Sequence, residues 1–224
     1  VTIQQAINAH KSSSSAKFID GSWHMPVGPT PRNARSEYIN GPRIPNALYF
    51  DIDDIASTNN NLPHMKPSSK MFAIAMDKMN ISPNDTIYVY GTNNCAFYHR
   101  TYWTIAANYH NPEKVKLIQG SLDEWKECGG ELEYDTLDEE RDERLFRMSE
   151  LCWEEMTPRY KCWNSNGDTT EDGGEDASVV NMEQVLSIVK QNESDETTTT
   201  DAIIVDARSS GRFYGKEPEP RPGL

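Results

Sequence analysis

The chain has 224 residues, enough for one large domain or for one complete domain and part of a second. Its 35 acidic residues outnumber the 22 basic ones, which argues against a nucleic-acid or anionic-membrane partner, since both need clustered Lys and Arg. No run of about 18 apolar residues occurs, so no spanning helix is expected. Four scattered cysteines (Cys95, Cys128, Cys152 and Cys162) without a C-x-x-C pair fit neither a disulfide framework nor a zinc site, and predict free thiols in a reducing compartment.

In chain order, "VTIQQAINAH" lacks the apolar core of a secretory signal and instead carries a capping-box pattern, Thr2 with Gln5, ahead of an apolar face at Ile3, Ala6 and Ile7. A start at Val1 suggests a fragment or a processed chain. "KFIDGSW" and "ALYFDID" read as short strands. "SSKMFAIAMDKM" predicts a Ser-capped helix that buries Phe72, Ala75, Met76 and Met79. "DTIYVY" is a strand of the buried type, "CAFYHRTYWTIAANY" a helix, "VKLI" a strand, and "SLDEWKECGG" a helix stopped by Gly129 and Gly130. Strands alternating with helices predict an α/β fold, a central parallel sheet flanked by helices.

From Asp135 the composition shifts. "DTLDEERDERLFRMSE" is dense in charge, and "NSNGDTTEDGGEDAS" has almost nothing to bury. Residues 1–135 are therefore expected to form one complete domain and 136–177 an acidic, polar linker. Residues 178–224 begin a second α/β unit, with a helix at "NMEQVLSIVK" started by Asn181 and Gln184, and a strand at "AIIVDAR". One helix and one strand bury too little surface to fold well alone.

Three places carry candidate chemistry. Asp53 and His64 lie eleven positions apart in a loop after a strand. They could form a pair in which the carboxylate fixes the imidazole tautomer for proton transfer; the alternative, which spacing alone favours, is that Asp53 caps a helix and His64 is a loop residue. Cys95 lies in the loop of "YVYGTNNCAFYHRTYW". It is either a thiolate stabilised by a helix N-terminus or a small buried thiol, and the lack of a basic neighbour favours the second. Arg208, Arg212 and Arg221 follow the carboxyl end of the last strand, where α/β sheets place ligands. Arginine's planar fork suits a carboxylate, although a solvated loop explains these residues as well.

The strings "FIDGSWHMP", "RNARSEYINGPRIPNALYFDIDDI", "LPHMKPS", "FYHRTYW", "IQGSLDEWKECGGEL" and "IIVDARSSGRFYGKEPEPRPG" resemble the two-domain rhodanese-type sulfurtransferases, and most of all the 3-mercaptopyruvate sulfurtransferases. The resemblance implies two rhodanese-like domains, the first without a nucleophile: Gly91 stands where an active domain has its cysteine. The active cysteine loop is expected to lie beyond Leu224. It also implies transfer of a sulfane sulfur from 3-mercaptopyruvate, or thiosulfate, through a cysteine persulfide to cyanide or to a thiol such as thioredoxin or glutathione. No cofactor or metal is implied, and the compartment would be intracellular, cytoplasmic or mitochondrial. Asp53 and His64 match the residues proposed to assist proton transfer. Arg212 and Arg221 match those that bind the substrate carboxylate. Asn46 stands where the family usually has Gly, and Ser121 where a second Gly is common. The Cys-Trp pairs Cys152-Trp153 and Cys162-Trp163 have no family counterpart, and read as Trp anchors pinning the linker to a domain. If the polypeptide ends at Leu224, the competing reading is a non-catalytic binding module.

Overall fold

The structure, a computed structural model, describes residues 1–26, 29–58, 62–109, 111–160, 163, 179–194 and 202–218. The chain divides into two units, Val1–Gly174 and Glu175–Leu224.

In the first unit, α1 (Ile3–Ser12) precedes β1 (Ala16–Asp20), α2 (Ala34–Asn40), β2 (Leu48–Tyr49), α3 (Ser69–Lys78), β3 (Thr86–Tyr90), α4 (Tyr98–Asn108), β4 (Val115–Leu117) and α5 (Leu122–Glu127). The four strands form one parallel sheet in the order β2-β1-β3-β4. Alternation along a strand sends neighbouring side chains to opposite faces, and the two layers follow from it. Ile19, Ile87 and Val89 face α3 and α4, whereas Phe18, Tyr88 and Tyr90 face α1 and α5. A parallel sheet buried on both faces needs apolar residues in both registers, which "KFI" and "TIYVY" supply.

The expected caps form. Thr2 and Gln5 close a capping box on α1, and Ser68 caps α3; its Phe72, Ala75 and Met76 and the Met79 that follows it are all buried. Ser121 caps α5 reciprocally with Glu124. Asn46 takes a left-handed φ of 58°, a conformation Gly adopts freely and Asn tolerates better than most residues. Helix α2 was not expected from periodicity. Seven residues are too few to show a pattern, and its start depends on the Asn33 side chain accepting from Ser36 N at 2.8 Å. Helix α4 starts at Tyr98 rather than at Cys95, because residues 92–95 close a turn instead, with Cys95 N donating to Thr92 O.

The stretch from 136, expected to be a linker, differs most in its described part. Leu137 and Leu145 pack with Ala34, Tyr38 and Tyr49. Asp54 accepts from Met148 N at 2.5 Å and Ser149 N at 3.0 Å, and Met148 is fully buried. Asp77 accepts from Arg159 N at 2.6 Å. Trp163 is 3% exposed and meets Phe72 and Tyr109 edge-on or tilted. A few large apolar residues placed wide apart anchor a charged segment although its average composition reads as solvated. Residues 164–178, the Gly/Asp/Thr-rich part, lie outside the described residues, as does Cys162.

In the second unit, α6 (Met182–Ser194) starts as expected, with Asn181 and Gln184 each accepting from the other's backbone N–H. Among the described residues no strand forms at the expected "AIIVDAR": the backbone of 202–207 joins no sheet there, and Ile203 and Val205 are 87% and 79% exposed. An extended segment becomes a strand only when another backbone satisfies its amides. A short α7 (Ser210–Phe213), capped by Ser209, follows.

Candidate functional site

The loops that leave the carboxyl ends of β1, β2 and β3 gather at one edge of the sheet, the edge where open α/β sheets hold their ligands. Here the structure brings Asp53 and His64 together. His64 Nδ1 lies 2.6 Å from Asp53 Oδ1, with the oxygen off the axis of a ring N–H bond. Asp53 N donates to Asp51 Oδ1 at 3.0 Å, which closes a tight turn after β2 and turns Asp53 outward; its side chain is 57% exposed against 30% for His64.

Two residues that sequence reasoning did not single out complete the group. Trp23, three residues past the end of β1, donates its indole Nε1–H to Asp53 Oδ2 at 2.9 Å. Its ring stands edge-on to the His64 imidazole, 4.8 Å between centroids and 72° between planes. Arg100, in the first turn of α4, donates from Nη2 to the carbonyl of His64 at 2.6 Å, and its guanidinium stacks on Trp103 at 4.6 Å. Partial burial lowers the Arg100 pKa from its usual value. Both residues lie within the resemblance strings "FIDGSWHMP" and "FYHRTYW", and their position at strand and helix ends was the available signal.

A second network staples the same edge. Arg32 holds Glu37 with two bonds of 2.7 Å, His24 Nε2 sits 3.1 Å from Glu37 Oε2, and Thr92 Oγ1 donates to it at 3.4 Å. Burial pushes the Glu37 carboxyl up, but hydrogen bonds from Arg32 and His24 outweigh it and hold the group below its usual value. Beneath these loops, Asp20 is fully buried at the end of β1, where its Oδ1 accepts from Ser22 N at 2.9 Å. Burial raises its pKa to about 6, against opposing hydrogen bonds from Ser22 and Tyr90.

Gly91 directly follows β3, and a Cβ there would come within 2.7 Å of Tyr98 Cδ1. Cys95, 9% exposed, donates its thiol to the Trp23 carbonyl at 3.3 Å, which agrees with the buried-thiol reading. In the second unit, Arg212 lies in α7, half-buried, and its backbone N–H is capped by Ser209 Oγ. Arg208 pairs with Asp206 at 2.7 Å. Arg221 lies outside the described residues.

Residues 14–128 match the rhodanese-like domain family, just over half of the chain. The chain belongs to the rhodanese family. Among curated relatives of this rhodanese, the Arabidopsis thaliana thiosulfate/3-mercaptopyruvate sulfurtransferase 1, mitochondrial, is 30% identical over 97% of this chain and 53% of its own length. The Escherichia coli 3-mercaptopyruvate sulfurtransferase is 28% identical over 96% of this chain and 63% of its own. The chain thus spans little more than half the length of these relatives. Among solved structures, Escherichia coli SseA, a 3-mercaptopyruvate sulfotransferase of rhodanese fold, superposes with a TM-score of 0.52 at 28% identity, covering 62% of this chain and 51% of that one. Saccharomyces cerevisiae Tum1 gives 0.69 over 99% of this chain and 64% of its own, and at 23% identity shares the fold. The expected α/β architecture, a central parallel sheet flanked by helices, is the one observed.

Proposed function

We propose that this rhodanese is the donor-recognising part of a sulfurtransferase that moves a sulfane sulfur from 3-mercaptopyruvate, or thiosulfate, to cyanide or a thiol. The observation that carries the reading is the 2.6 Å approach of His64 to Asp53 at the carboxyl edge of the sheet. The names of the similar sulfurtransferases support it.

In the reaction proposed, a cysteine thiolate attacks the sulfur of HS–CH2–CO–COO⁻. The new S–S bond forms as the C–S bond breaks, and the electron pair leaves on the enolate of pyruvate, which then takes up one proton. An imidazole held by a carboxylate suits that proton delivery. Gly91 gives the first domain no nucleophile at the head of its loop, so the thiolate is assigned to a second rhodanese domain. Arg212 and Arg221 are proposed to hold the donor carboxylate, because their forks can chelate it while charge develops nearby. A thiol such as thioredoxin or glutathione, or cyanide, then takes the outer sulfur and returns the thiolate. Unpaired Cys95, Cys128 and Cys152 support an intracellular site, cytoplasmic or mitochondrial.

Gly91 with Tyr98 packed against it also favours a second reading, a binding module without catalysis. The test is sulfur transfer by the full-length protein from both donors to cyanide. Thiocyanate formation that His64→Ala strongly depresses supports the enzyme. No transfer with either donor supports the module.

A further inference from the structure

We infer that Trp23 and Arg100 are positioning residues that set the geometry of the Asp53–His64 pair, Trp23 through the carboxylate and Arg100 through the His64 backbone. The inference rests on the proposed role of the pair for its functional meaning, not for its geometry.

A carboxylate with two free oxygens can turn about its last bond and offer either to a neighbour. Asp53 cannot do so without losing a bond, because Oδ2 accepts from the Trp23 indole at 2.9 Å. That leaves Oδ1 for His64. The same indole limits the imidazole, since its ring stands edge-on at 4.8 Å, a favourable arrangement for two aromatic systems. Trp23 is itself fixed. Phe97 meets it edge-on at 5.0 Å, Cys95 donates to its carbonyl, and the preceding Ser22 is tied to Asp20 through N and to Thr92 N through Oγ. The loop that carries the donor is therefore anchored to the ends of both β1 and β3.

His64 needs a second restraint. Its φ of 58° lies in the left-handed region, which a non-glycine residue holds only when its surroundings impose it. The Arg100 guanidinium supplies that restraint at 2.6 Å from the His64 carbonyl. Its stacking on Trp103 and its place in α4 make it a rigid donor rather than a mobile surface charge. Without it the loop can return to a commoner φ, which swings the imidazole away from Asp53.

The test uses the 224-residue chain labelled with 15N, because ring-nitrogen shifts report the tautomer and partner of an imidazole. Trp23→Phe keeps the ring and removes the donor. Arg100→Met removes charge and donor at similar length, and Arg100→Lys restores a cationic donor. The expected result is that Trp23→Phe and Arg100→Met each move the His64 ring nitrogens toward the values seen in Asp53→Ala. Arg100→Lys should stay near the wild type, with the thermal melt little changed. Unmoved His64 signals in Trp23→Phe and Arg100→Met overturn the inference. If Arg100→Met fails to fold, Arg100→Gln, which keeps a shorter neutral donor, is measured instead and should give an intermediate shift; wild-type signals there also overturn it. In the full-length protein, moved signals accompanied by a loss of about tenfold in kcat with KM held support both the clamp and the proton-transfer role. Moved signals with kcat unchanged support the clamp and remove the proton-transfer role.

Discussion

The ring of Tyr98 stands where any side chain on Gly91 would have to go: an added Cβ would lie 2.7 Å from its Cδ1 and 2.9 Å from its Cγ. A glycine at the head of this loop is thus a packing requirement. Gly91→Cys should not create an active first domain. It should destabilise the chain by about 1–3 kcal/mol through overpacking, with most of that recovered in Gly91→Cys/Tyr98→Ala. Urea unfolding checks the energies, and mass spectrometry after donor treatment checks for a persulfide at position 91. A stable single variant that carries one would show the loop to be ready for chemistry.

In the full-length protein, His64→Ala and Asp53→Asn are each expected to lower turnover by about 10²-fold or more, the usual scale for a lost general acid–base group. Because the residues act as one unit, their losses should be far from additive. Small, additive effects in the double-mutant cycle would reduce the pair to loop structure.

Arg221→Gly is expected to weaken 3-mercaptopyruvate use by about 10- to 150-fold in kcat/KM, the cost of about 1.5–3 kcal/mol for one charge-assisted bond. Thiosulfate has no carboxylate and should be affected less. Arg212→Ala should behave in the same way. Equal losses with both donors would make these arginines structural.

Asp20 gives a pH dependence with a definite sign. Its folded pKa is raised from 3.8 to about 6 by burial, so the folded chain binds this proton more tightly than the unfolded one. Its contribution to stability is fully present below 3.8 and is lost as pH rises through about 6. The full span is on the order of 3 kcal/mol. Asp20→Asn should flatten that part of the pH–stability curve, measured by urea unfolding at a series of pH values. An unchanged slope would mean that Asp20 is not its source.

The described part of the segment after residue 135 should be needed for stability. Trp163 is 3% exposed against Phe72 and Tyr109. Trp163→Ala is expected to cost about 3–5 kcal/mol, as for other buried Trp truncations. Residues 1–135 alone should melt well below residues 1–163. Equal melting temperatures would return this stretch to the status of a linker.

How much was legible in the sequence follows from the range of the forces involved. Helix caps and strand alternation are local, so Thr2 with Gln5, Ser68, and the two-faced "TIYVY" announced the parallel sheet and most of its helices. The string around "FDIDDIA" and "LPHM" marked Asp53 and His64, because motif position survives without coordinates. Their contact could not be read, since eleven residues of loop can end in many geometries. Trp23 and Arg100 were invisible as partners because each reaches the pair from a different segment, 30 and 36 positions away. The packed stretch after 135 was read only in part: Trp163 was expected as an anchor and is one, but Leu145 and Met148 were missed for a related reason. Burial depends on where a few large side chains meet a surface, and these two find theirs only after the sheet and helices have built it. The strand expected at 202–207 failed for the converse reason: local apolarity proposes a strand, but only another backbone makes one.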